Sequence, residues 1–224
     1  MTVRWPALAI SALLFAAFAM HFEGQAGPVV QVDYSNPGLT PAHWTLILRP
    51  DGNGHFRSER GNVTPQASDS SQLDAPEQDR DIHMSAQFTS RVFQAAHNHR
   101  WFNVECESHF KMAFQGLKKL SYTGPEGQGS CEFNYSKDKD IQALGDSMVA
   151  VADTILEGAR LELFLHHDRL GLDKEMEYLT EAQGDGRVQE IYVIRGILTQ
   201  LADDPGVMER VRKRARFLLG RMEE

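Results

Sequence analysis

Cysteine is scarce in these 224 residues: Cys106 and Cys131 are the only two. That count excludes a disulfide-framework miniprotein and a cysteine-built zinc finger. No C-x-x-C is present, so a thioredoxin-like redox centre is excluded as well. Positive charge is short too. The 23 Lys and Arg against 31 Asp and Glu leave a formal charge of −8, which argues against a nucleic-acid binder that relies on overall charge. The one apolar run of note, Ala7–Met20, has 14 residues, whereas a membrane span needs roughly 20. What is present looks globular: 42% hydrophobic and 24% charged residues exclude collagen-like, coiled-coil and fully disordered chains.

The apolar run follows Arg4 and precedes two small-x-small sites, Ala17-Phe18-Ala19 and Gly24-Gln25-Ala26. This is the organisation of a secretory signal peptide, with cleavage expected after Ala19 or Ala26; retention of the segment as an N-terminal anchor is the alternative. The expected location is therefore exported, periplasmic or secreted. Disulfides persist in such compartments, so Cys106 and Cys131 are predicted to pair.

Residues 27–42 carry turn signals and read as an irregular lead-in. His43–Arg49 alternates and is followed by the turn Pro50–Gly54 and extended residues 55–59, a β-hairpin pattern. Residues 60–81 have almost nothing to bury and read as a mobile loop. Ser85 can cap a helix buried through Phe88, Val92, Phe93 and Ala96. Trp101, Phe102 and Val104 suggest a short strand, and residues 108–115 stay ambiguous. Residues 117–123 and 130–135 form a second hairpin pattern around the glycine-rich stretch Gly124–Gly129.

From residue 138 the period changes. Ile141, Leu144, Met148, Val151, Ile155, Ala159 and Leu163 fall at three- and four-residue steps, predicting one long helix over 138–167. Three shorter helices are predicted after Asp173, over 187–202, and after Asp204-Pro205. Strands first and helices second imply an α+β fold, an N-terminal antiparallel sheet of hairpins with a packed helix followed by a C-terminal helical bundle. The expected division is a signal peptide at 1–26, an α+β domain at 27–167 and a helical region at 168–224.

Two clusters have metal-like chemistry. His97 and His99 alternate but need a third ligand, with Glu105, Glu107 or His109 the nearest in sequence. Glu162 and His166 share a helix face beside His167 and Asp168, without an H-E-x-x-H pattern. Neither set is complete in sequence, so no metal and no cofactor are expected. Asp51-Gly52-Asn53-Gly54 opens like a calcium loop but has Phe56 where glycine is required. Ser130 lacks a G-x-S-x-G setting and Gly124–Gly129 lacks the lysine and helix of a phosphate loop. Asn62-Val-Thr64 and Asn134-Tyr-Ser136 match the glycosylation sequon.

The C-terminal stretch Val207–Glu224 carries six basic residues against three acidic, so it is +3 while the rest of the chain is −11. Arg210, Lys213 and Arg214 on this helix are candidate contacts for an anionic membrane surface or an acidic protein partner. The expected function is a non-catalytic binding or interaction module of the cell envelope or extracellular space. The alternative is a metal-dependent hydrolase using His97/His99 or Glu162/His166.

Overall fold

The computed structural model describes residues 27–61 and 76–222. The N-terminal apolar run, its cleavage sites and the Asn62 sequon lie outside the described residues. The fold is α+β: a six-stranded antiparallel sheet in the N-terminal half, then helices.

The strands are β1 (Val29–Ser35), β2 (His43–Leu48), β3 (Asn53–Glu59), β4 (Asp79–His83), β5 (Leu117–Gly124) and β6 (Gly127–Phe133), in spatial order β4-β3-β2-β1-β5-β6. Residues 29–35, expected to be irregular, are instead one of the two central strands. Val30, Val32 and Tyr34 alternate inward, and the turn residues that obscured them, Asn36-Pro37-Gly38, stand just past the strand end. The expected loop over 60–81 is corrected at its end, where Asp79–Arg80–Asp81 belong to edge strand β4. Only Ile82 of that strand is buried, so its charged sequence carries almost no apolar alternation. Residues 62–75 of that stretch lie outside the described residues. The β2–β3 hairpin turns at Gly52, whose φ of 84° and close approach to the Met84 carbonyl suit glycine.

One sheet face is polar. The register aligns Asp79, Arg57, Thr45, Asp33, Lys119 and Glu132 across all six strands. The other face buries Leu46, Leu48, Phe56, Leu120 and Phe133 against α1 (Ala86–Asn98) and the first half of α2 (Lys139–His167). Ser85 caps α1 by accepting from the Phe88 N–H, and Asp138 caps α2 by accepting from Asp140 and Ile141.

A second core joins Leu161, Phe164 and Leu165 of α2 to α3 (Leu172–Gly184), α4 (Arg195–Asp203) and α5 (Glu209–Gly220). Helix α2 is thus one rod with a residue set in each core. Residues 154–159 are all buried, and Gly158 is where Ile194 packs directly on its backbone. The third predicted helix starts later than expected. Glu190 is left-handed, Ile191–Ile194 is a 3-10 turn, and α4 begins only at Arg195. The last also starts later, at Glu209, because Asp204 accepts from the Gly206 and Val207 N–H groups and closes a turn.

The strand expected at Trp101–Val104 is absent. Arg100, Trp101 and Phe102 have φ of 54°, 62° and 65°, a left-handed turn that costs roughly 1–2 kcal/mol per residue in non-glycine backbone. Packing holds it there. Phe102 is fully buried, Trp101 stacks on Tyr122 at 4.6 Å, and Gly127 and Gly129 leave room for the Trp101 ring and backbone.

Candidate functional site

The left-handed turn separates the two histidines that looked paired in sequence. His97 is exposed and packs edge-on against Trp101 at 5.1 Å. His99 ends α1, turns inward, and its Nδ1 lies 2.8 Å from the Ala95 carbonyl while its Nε2 lies 3.2 Å from Asp138 Oδ2. Asp138 and Asp140, at the start of α2, complete a group whose ligand atoms all lie within 4.8 Å of one another. The expected third ligands are elsewhere: Glu107 accepts from the Ser108, His109 and Asn134 N–H groups, and His109 faces Glu105 at 3.6 Å. Asp140 and His99 open onto a cleft of about 240 Å³ between α1 and α2, lined also by Arg91, Gln94 and Ser147. Burial opposes ionisation of Asp138, but the Ile141 and Asp140 N–H groups and the His99 ring outweigh it and hold the carboxyl below its usual range.

Glu162 and His166 belong to no group of three or more metal-ligating side chains among the described residues. Glu162 faces Arg80 of β4 at 3.7 Å, and His166 is exposed with its ring against His167.

Spacing along the chain did not reveal a buried acid cluster between α2 and α3. The Arg160 Nη1 donates to Glu157 Oε1 at 3.0 Å and to Glu175 Oε1 at 2.8 Å, so one guanidinium nitrogen serves two carboxylates. Glu157 is 5% exposed. Burial, only partly offset by Arg160 and reinforced by Glu175, pushes its carboxyl up to about 8. Asp153, one turn earlier, is also crowded by protein, which pushes it to about 6; its side chain is nevertheless solvent-exposed, so no stability is assigned to it. The only signal in the sequence is an acid at an apolar helix position, which any long helix also shows by chance.

The disulfide forms as expected: Cys106 and Cys131 are bonded with Cα atoms 5.7 Å apart, tying the segment after the left-handed turn to β6. Beyond it, residues 109–115 are all exposed and include Phe110, Met112 and Phe114, exposed by 57%, 45% and 57%. This strip is held at both ends. The Asn134 N–H holds the Glu107 carboxyl below its usual range, Asn134 accepts from the Gln115 N–H and donates to the Ala113 carbonyl, and Lys137 Nζ sits 4.6 Å over the Phe110 ring.

The basic C-terminal helix is largely paired within the fold. Asp173 of α3 accepts from Arg210 at 2.7 Å and Arg214 at 2.6 Å, and Arg214 also reaches Glu177 at 3.1 Å. Arg212 and Arg216 both donate to the Ala202 carbonyl. Lys213 is exposed and has no ion pair among the described residues. Arg214→Ala is expected to cost about 1 kcal/mol, since the pair is partly buried and shared, and Lys213→Ala less than about 0.5 kcal/mol. Urea unfolding of the two variants checks this; equal effects would remove the clamp role.

Among the described residues no helix is long and apolar enough to cross a membrane. No protein-family model matches the chain, and no curated protein matches it.

Proposed function

We propose that the protein is exported and non-catalytic, and acts by contact with an anionic surface of the cell envelope. The observation that carries this reading is the exposed strip of Phe110, Met112 and Phe114, braced by a disulfide and by Asn134. Apolar side chains left in water on a braced segment mark a contact surface. Lys111 alternates with them and Lys137 stands beside Phe110, so the strip combines insertion chemistry with positive charge on an otherwise acidic chain. Export rests on the leader pattern, and the disulfide is compatible with it. Arg210, Lys213 and Arg214 are a secondary contact in this reading, because two of the three are engaged by Asp173.

The test is co-flotation of the purified chain with phosphatidylglycerol-containing vesicles and with neutral phosphatidylcholine vesicles. Binding to the anionic vesicles should weaken as salt rises. The triple change Phe110→Ser, Met112→Ser and Phe114→Ser should cut it at least tenfold, and Lys111→Glu with Lys137→Glu should cut it by a similar factor, at about 1 kcal/mol for each lysine. Charge reversal at Arg210, Lys213 and Arg214 should matter less. Equal, negligible flotation of all forms would overturn the membrane contact.

The alternative, a metal-dependent hydrolase on His97/His99 or Glu162/His166, has less support, because each of those residues has a different neighbour: Trp101, Asp138, Arg80 and His167. Its one foothold is His99 beside Asp138 and Asp140.

A further inference from the structure

We propose that His99, Asp138 and Asp140 form a binding site for one divalent transition-metal ion, with zinc the ion that the donor set suits best. The proposal does not rest on the contact function, although Asp138 directly follows Lys137, which sits over Phe110 of the aromatic strip.

The argument begins with the imidazole. The Ala95 carbonyl can only accept, so the His99 Nδ1 at 2.8 Å carries the proton. In a neutral ring the Nε2 is then a bare lone pair. That lone pair faces Asp138 Oδ2, another acceptor, at 3.2 Å. The His99 side chain is only 12% exposed, so water screens little of the repulsion. A metal ion placed beside both atoms would be met by a lone pair from each.

Three features favour the metal. First, 3.2 Å is close to the roughly 3.3 Å that separates two ligands of a tetrahedral zinc with bonds of about 2.0–2.1 Å. The carbonyl bond to Nδ1 is also the support that metal-bound imidazoles ordinarily have. Second, a third donor is at hand. The Asp140 carboxylate has no hydrogen bond or ion pair among the described residues, and all three ligand atoms lie within 4.8 Å. A small inward swing of this exposed side chain closes the set, while the adjoining cleft leaves a fourth position for water. Third, the ion does not compete with folding. Asp138 caps α2 through Oδ1 and presents Oδ2 to His99.

The electrostatics are mixed but favourable in sum. The C-terminal end of α1, where His99 sits, is the negative pole of that helix. The positive pole of α2 and Arg91 in the same cleft oppose a cation, and two carboxylates outweigh them. One imidazole nitrogen with two carboxylates suits zinc or manganese better than calcium, which prefers six to eight oxygens. The bound ion would join the end of α1 to the start of α2, positions 39 residues apart in sequence.

The test is calorimetric titration of zinc chloride into untagged, chelator-treated full-length protein near pH 7, with thermal melts in parallel. One equivalent should bind, and zinc should raise the wild-type melting temperature. His99→Gln and Asp140→Asn should each weaken binding at least tenfold. His97→Ala and His166→Ala should leave it unchanged, and a large excess of calcium should not compete. Should His99→Gln fail to fold, Asp140→Asn, on an exposed side chain that caps nothing, decides alone. Absence of a saturable equivalent, or one unaltered in Asp140→Asn, would overturn the site and leave His99 and Asp138 as a structural contact between α1 and α2.

Discussion

Replacing Cys106 and Cys131 with Ser is expected to lower the unfolding free energy by about 3.5 kcal/mol. The bridge closes a loop of sequence separation 25, and in the chain-entropy account a loop of that length removes about this much freedom from the unfolded state. Domains of this size hold only about 5–15 kcal/mol in total, so the loss is a large share. The structure adds a local consequence. Cys106 and Cys131 are both in the sheet-side core, and the bond holds the chain between the left-handed Arg100–Phe102 turn and the exposed strip at 109–115. The disulfide-free variant should therefore also lose part of its vesicle binding. Guanidinium unfolding with and without reductant gives the stability difference, and non-reducing peptide mapping should recover the two cysteine peptides linked. An unchanged midpoint on reduction would refute the structural role.

The second large effect is expected at Glu157. Its carboxyl is raised from the ordinary 4.5 to about 8 in the folded state, first by burial and then by Glu175, with which it shares Arg160. A raised acid means that the native chain binds more protons than the unfolded chain between those two values. Stability therefore falls as pH rises from about 4.5 to about 8, and is level on either side as far as this group is concerned. Glu157→Gln removes the proton requirement yet keeps an oxygen for Arg160 and a donor towards Glu175. The variant should match wild type near pH 4.5 and exceed it at pH 8 by a few kcal/mol, because holding one proton against each further pH unit costs about 1.4 kcal/mol. Urea midpoints across that range make the comparison. A variant less stable than wild type at pH 8 would show that Glu157 is held there as a stabilising anion. Among the described residues Glu157 Oε2 and Arg160 Nε have no hydrogen-bond partner.

The helical half was the most legible part. Apolar residues at three- and four-residue steps marked α2 to within a residue of Lys139–His167, because a long helix repeats its buried stripe many times. The β2–β3 hairpin was legible for the same reason at period two, with Gly52 in its turn. Strand β1 was missed although Val30, Val32 and Tyr34 alternate, since adjacent prolines and asparagine outweighed three apolar positions. Strand β4 carried no comparable signal. An edge strand made of Asp79, Arg80, Asp81, Ile82 and His83 owes its conformation to hydrogen bonds with β3, not to its own side chains.

The sequence alone determined the strand-then-helix order, the long shared helix and the cysteine pairing, because periodicity, capping residues and cysteine number are local or countable properties. Tertiary structure alone decided which side chains meet. His97 and His99 are two positions apart yet part at the left-handed turn, while His99 joins Asp138 and Asp140 from the far side of β5 and β6. Arg210 and Arg214, conspicuous as a basic face in the chain, are claimed by Asp173 of another helix. Glu157 and Glu175 meet at one Arg160 nitrogen only because α3 folds back on α2. Each of these depends on distances across the chain, and those are set by the packing of the two cores and not by spacing along the backbone.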